Sequence, residues 1–395
     1  MSTPFRFKNA DNTTVDFEDY YVRADYFRSG NLWAWGNNGS GRLGDNTTTN
    51  RSSPVQTIAS GSNWKSVACG YNHTAAIKTD GTLWTWGSNA TYGQLGDNSV
   101  TQRNSPVQTV AFGTNWIQVS AGNASTAAIK TDGTLWGWGS GFYGQLGDNT
   151  VNTSKSSPVQ TITFANNWKQ VSISKFHAAA IKTDGTLWCW GSNSYGQLGD
   201  NTVIPKSSPV QTIAFGTSWK QVSCGVFYTT AIKTDGTLWN WGKNDFGILG
   251  DNTTANRSSP VQTVTFGTNW KYIGGSSGNN YFARTAVKTD GTLWCWGSNI
   301  YGQLGDNTTT NRSSPVQTID FGTNWKESHI GHVATGIKTD GTLWCWGYGG
   351  NGNLGDNTTT DRSSPVQTIM YGTNWKTIAC GSIHVAAIKY QDDYQ

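Results

Sequence analysis

The stretch Lys182-Thr183-Asp184-Gly185-Thr186-Leu187-Trp188-Cys189-Trp190-Gly191 decides the fold, because the chain keeps returning to it. Asp-Gly supplies the positive backbone angles of a tight hairpin, so the stretch reads as a turn that launches a strand. Within that strand Trp188 and Trp190 share one face, while Leu187 and Cys189 share the other. Both faces are apolar, as in a sheet covered on both sides. The L-W-x-W-G core occurs seven times, its first tryptophan being Trp33, Trp84, Trp136, Trp188, Trp239, Trp294 and Trp344, at spacings of 51, 52, 52, 51, 55 and 50 residues. That period belongs to propeller blades.

Each unit reads as four short strands: N-W-K-Q-V-S, A-A-I-K, T-L-W-x-W-G and, after a longer loop, P-V-Q-T-I. The expectation is an all-β chain forming a seven-bladed β-propeller of four-stranded blades. Seven prolines, from Pro54 to Pro365, are placed at the start of the fourth strand, which is expected outermost because an edge tolerates a missing N–H. The last repeat stops after two strands at 375–389, and the missing two appear at 32–36 and 54–58. A blade shared between N- and C-terminal strands therefore closes the ring and leaves no half-sheet edge. The predicted organisation is an anchoring or docking segment at 1–30, the propeller at 31–390 and a tail at 391–395.

Only 13% of the 395 residues are charged and the net charge is +4, so no basic stripe points to nucleic acid. No basic leader with an apolar run is present, and no stretch approaches the ~20 apolar residues of a membrane span. Synthesis in a cytoplasm without membrane insertion is the expectation. The six cysteines lack zinc-ligand spacing. Cys189, Cys295 and Cys345 stand where sister repeats carry Ala34, Thr85, Gly137 and Asn240, while Cys69, Cys224 and Cys380 each precede a glycine. They read as inert packing thiols. No nucleophile elbow, zinc-protease or phosphate-loop motif occurs, so no catalytic residue, metal ligand or cofactor is assigned.

Residues identical in every repeat are explained first by the lattice, and function is sought in the departures. All 21 tryptophans are repeat residues, fourteen in L-W-x-W-G and seven at Trp64, Trp116, Trp168, Trp219, Trp270, Trp325 and Trp375. The aspartates of L-G-D-N, from Asp45 to Asp356, read as Asx-turns. His73, His177 and His384 occupy equivalent positions on separate blades and read as hydrogen-bonding loop residues. The copies diverge most between the first and second strands. That loop type supplies the candidate binding residues Tyr71, Asn72, Asn123, Lys175, Phe176, Phe227, Tyr228, Asn279, Asn280, Tyr281, Phe282, Arg284, His332 and Ile383. Aromatics beside asparagines suit a glycan or a protein surface. A second variable region, Lys243-Asn244-Asp245-Phe246, follows W-G and ranks lower. Ahead of the ring, Phe5, Phe7, Phe17, Tyr20, Tyr21, Tyr26 and Phe27 are too many aromatics for a passive leader. They are the candidate anchors onto another protein.

Cys69-Gly70-Tyr71-Asn72-His73-Thr74, Asp80-Gly81, Trp86-Gly87-Ser88-Asn89 and Gly93-Gln94-Leu95-Gly96 resemble the repeats of the regulator of chromosome condensation family. That resemblance recurs around the ring and implies the propeller fold. The family includes a nucleotide-exchange factor, a plant ultraviolet-B receptor and many modules of unknown role. Light sensing would need tryptophans where this chain has Tyr71, Asn123, Lys175, Val226 and Ser382, and no motif carries nucleotide exchange. The leader is similar to segments that open some tailed-phage structural proteins, which implies a non-enzymatic virion protein of tail or fibre. Its partners would be other virion proteins at the leader and a host-surface glycan or protein at the loop face. The alternative is a cytoplasmic regulatory scaffold that binds a GTPase or another protein through one face.

Overall fold

The computed structural model describes residues 30–390 other than 59–60, 111–112, 164, 214–215, 265–266, 276–281, 320–321 and 371, with the backbone of Arg6–Lys8 and Thr14–Asp16. Blade 1 runs Trp64–Cys69, His73–Lys78, Leu83–Gly87 and Arg103–Gln108, each strand antiparallel to the next. Blades 2 to 6 repeat it from Trp116–Ala121, Trp168–Ile173, Trp219–Cys224, Trp270–Ile273 and Trp325–Ile330. Blade 7 is the shared one. Trp375–Cys380 and His384–Tyr390 supply its inner strands, Gly30–Gly36 and Arg51–Gln56 its outer ones, and Gly30–Gly36 pairs along its whole length with His384–Tyr390. The first strands touch their neighbours in sequence from blade 1 to blade 7 and back to blade 1, so the ring is closed.

The core lies between blades. At the first seam Ala75, Ile77 and Leu83 of blade 1 pack on Trp116, Val119 and Trp138 of blade 2. The two tryptophans of L-W-x-W-G divide the labour. The second crosses the seam: Trp138 Nε1 donates to the carbonyl of Gln94 at 3.0 Å and Trp190 Nε1 to that of Gln145 at 2.9 Å. The first stays home, Trp188 Nε1 donating to Thr186 Oγ1 at 3.0 Å. The lysine ending each second strand lies over tryptophan rings, as Lys182 Nζ does 5.1 Å from Trp168 and 4.4 Å from Trp188.

The outermost strand corrects one expectation. Pro54 sits fourth in Arg51–Gln56 rather than first, where the register slips between the pairs Ala34–Val55 and Gly36–Arg51. A residue without an N–H fits where the ladder is already broken. At the N-terminus, Arg6–Lys8 pairs antiparallel with Thr14–Asp16. Phe5, Phe17, Tyr20, Tyr21, Tyr26 and Phe27 lie outside the described residues, and Phe7 is described by its backbone only.

Candidate functional site

In an antiparallel four-stranded blade, the loop from strand one to two and the loop from strand three to four emerge at the same end. The two variable regions of the sequence therefore form one face. Among the described residues that face carries most of the strongly exposed large hydrophobics, including Val100, Phe142, Tyr143, Val203, Ile204, Phe246 and Ile300.

An aromatic ridge runs along it from blade 2 to blade 5. Phe142 and Tyr143, 55% and 42% exposed, begin it in the long loop of blade 2. Tyr143 meets Phe176 of blade 3 edge-on at 4.8 Å, and Phe176 stacks on Phe227 of blade 4 at 4.5 Å. Tyr195 closes on Phe227 at 5.0 Å. The Lys243 ammonium then sits 4.9 Å from the Tyr195 ring, 5.5 Å from Phe227 and 5.1 Å from Phe282, while Asp245 pairs with it at 2.6 Å. Phe246 is 45% exposed and holds φ at 60°, a left-handed conformation costly for a bulky side chain. Sister blades put tyrosines at this position, Tyr195 and Tyr301 among them, and neither has a positive φ. A smaller cluster joins Tyr301, His332 and Tyr348 across blades 5 and 6.

The candidate residues fare unequally. Tyr71, Asn72, Asn123, Lys175, Phe176, Phe227, His332 and Ile383 are half-buried on the loop face. Asn279, Asn280 and Tyr281 lie outside the described residues. Tyr228, Phe282 and Arg284 are not surface groups, being 0%, 6% and 0% exposed. Tyr228 opens the second strand of blade 4, and its hydroxyl donates to the carbonyl of Ala283 at 3.2 Å. Phe282 packs with Tyr228, Ile248 and Leu249. Arg284 stacks on the Tyr228 ring at 4.7 Å and donates to Thr230 Oγ1, Ser223 Oγ and the carbonyls of Gly274 and Ser223. The loops end a residue or two sooner than the spacing implied, and side chains at strand starts turn into the seam. Phe142, Tyr143, Tyr195 and Lys243, which the ridge adds to the candidates, all fall in the second variable region after W-G.

The repeated ionisable groups are bound into the lattice. Asp45 accepts hydrogen bonds from Thr47 and Asn38 and pairs with Arg51 at 2.9 Å. Burial opposes ionisation there, but the Thr47, Arg51 and Asn38 contacts outweigh it and hold the carboxyl below its usual range. The same pairing recurs at Asp97–Arg103, Asp251–Arg257, Asp306–Arg312 and Asp356–Arg362. His73, His177 and His384 each bond across a seam, to Thr126, Thr229 and Thr74 at 3.0, 2.8 and 3.0 Å. Burial lowers His73 and His177 to about 3 and takes His384 well below its ordinary value. These imidazoles are neutral structural links. Along the ring axis the inner strands enclose a cavity of about 210 Å³ whose wall includes Gln118, Gln170, Gln221, Tyr272 and His329.

Comparison with known proteins agrees with this geometry. The profile of the RCC1-like domain matches residues 98–387, and that of the regulator of chromosome condensation repeat matches 29–77 and 64–94. The ultraviolet-B receptor UVR8 of Arabidopsis thaliana is 33% identical over 73% of this chain and 66% of the receptor. The probable E3 ubiquitin-protein ligase HERC4 of Homo sapiens is 31% identical over 49% of this chain but only 19% of the ligase, so the chain spans less than two thirds of these relatives. Among solved structures, Prp20p from Saccharomyces cerevisiae, described with its binding to Gsp1p and histones, superposes with a TM-score of 0.80 at 19% identity over 96% of each chain. Human WBSCR16 gives 0.79 at 20% identity, covering 92% of this chain and 99% of that one. A closed seven-blade ring built on these repeats, matched by the domain profile over most of its length, places the chain in the family of RCC1-like domains.

Proposed function

We propose that this chain is a non-catalytic, protein-binding scaffold that engages a partner protein through the loop face of the ring, at the aromatic ridge of blades 2 to 5. The observation that carries the reading is the ridge itself. Phe142 and Phe246 depart from the repeat pattern, and with Tyr143 they leave much of their ring surface in solvent. Large exposed aromatics with a positive charge beside them are what protein interfaces use as anchors. The yeast relative described as binding Gsp1p and histones supports a protein partner over a glycan. The named relatives are plant, animal and yeast proteins, which supports a cellular setting; the virion reading gains no such support and is not carried further.

Site-specific photo-crosslinking in the producing cells tests this. A photoreactive phenylalanine at Phe142 should yield a partner adduct that one at Ile58, on the opposite face, does not. The triple change Phe142→Ser, Tyr143→Ser and Phe246→Ser should weaken that partner's binding about tenfold or more, as loss of interface anchors does, without lowering the melting temperature. Equal adducts from both faces, or unchanged affinity in the triple variant, would remove the loop face from consideration.

A further inference from the structure

Inner strands of neighbouring blades diverge too far to pair as a sheet, and side chains stitch them together. Gln118 accepts from the Val171 N–H at 2.8 Å and donates to the Val171 carbonyl at 2.9 Å. Gln170 does the same to Val222 at 3.0 and 3.4 Å, and Gln221 to Ile273 at 2.9 and 3.1 Å. A primary amide suits this task because it offers one acceptor and one donor side by side. In blade 6 the equivalent residue is Glu327, whose Oε1 accepts from the Ile378 N–H at 2.9 Å. A carboxylate has no hydrogen for the neighbouring carbonyl, whereas the neutral acid reproduces the amide's pattern.

We propose that Glu327 is held as the neutral acid and serves as a proton-operated stitch between blade 6 and the C-terminal strands of blade 7, so that losing its proton to solvent loosens the seam through which the ring closes. The surroundings favour the acid. From blade 5, the Tyr272 hydroxyl shares a hydrogen bond with His329 Nε2 at 2.9 Å and faces Glu327. Burial keeps this phenol and this imidazole neutral, the first pushed well above its usual value and the second down to about 4. On Glu327's own strand, Lys326 is the one nearby cation, and its Nζ is turned to the carbonyl of Lys376 of blade 7 at 3.2 Å. Blade 7 adds the Thr377 hydroxyl. Burial raises the Glu327 carboxyl to about 7, against the opposing pull of Lys326, the Ile378 N–H and Thr377.

The sign follows from linkage. The folded chain keeps a proton that the unfolded chain, with an ordinary carboxyl near 4.5, gives up. Stability from this site is therefore full below about 4.5, declines between 4.5 and about 7, and is flat above. Buried neutral histidines act in the opposite direction below their ordinary value of 6.5, so the site must be read as a difference between variants.

Thermal melts of the full chain and of Glu327→Gln across pH 4 to 8.5 provide that difference. The variant should melt higher above pH 8, by about 2 °C or more, and the gap should close below pH 5. A gap that does not change with pH overturns the proposal. A direct titration keeps the test independent of the variant's stability: the chain has two glutamates, Glu18 and Glu327, so carboxyl-labelled glutamate yields two resonances. One should titrate near pH 7; if both titrate below pH 5, Glu327 is an ordinary carboxylate and the stitch is refuted.

Discussion

At the scale of single residues, the two tryptophans of L-W-x-W-G look alike in sequence and differ in the ring. Trp190 is buried in the seam against Trp168 and holds the carbonyl of Gln145, whereas Trp188 is half-buried and bonds within its own hairpin. Trp190→Ala would empty a cavity and orphan a carbonyl, so it is expected to cost about 3–5 kcal/mol. Trp188→Ala should cost about half as much, because part of that ring already meets solvent. Chemical denaturation of the two variants checks the ranking; equal losses would mean that the first tryptophan carries more of the seam than its exposure indicates.

At the scale of elements, the G-x-L-G turn locks one blade to the next. Gly147 adopts φ of +73°, and a Cβ there would come within 2.8 Å of Trp190 Nε1. Gly147→Ala therefore combines backbone strain of about 1–2 kcal/mol with displacement of the seam tryptophan. A lowered melting temperature with a red-shifted tryptophan emission is expected, and a silent substitution would show that the turn relaxes freely. The same element explains why the ridge lies where it does. The long loop that contains this turn leans over the short loop of the following blade, so Tyr143 meets Phe176 and Tyr195 meets Phe227.

At the scale of the whole molecule, closure rests on seven residue pairs joining Gly30–Gly36 to His384–Tyr390. Stopping the chain before Trp375 removes both inner strands of blade 7 and bares the Val333–Lys338 side of blade 6. The truncated chain is expected to aggregate or to melt well below the intact one, as measured by size exclusion and calorimetry. A monomer with unchanged melting temperature would refute closure by the shared blade.

The seven copies of L-W-x-W-G, their spacing and the two half-repeats at 32–58 and 375–389 were sufficient for the fold and its closure, because a blade's hydrogen bonding and two-sided apolarity are local properties that repetition makes unmistakable. Placement of loops on a common face follows from strand parity and is equally legible. What only the tertiary structure decided is which variable side chains meet solvent. Tyr228, Phe282 and Arg284 vary as freely as Phe142, yet the seam between blades 4 and 5 buries them, since burial depends on the neighbouring blade some fifty residues away. Glu327 is the same case. Its sequence neighbours Lys326 and Ser328 suggest an exposed charge, and only burial in the seam, which outweighs the pull of the Ile378 N–H opposite, turns that carboxyl into a partner that holds its proton.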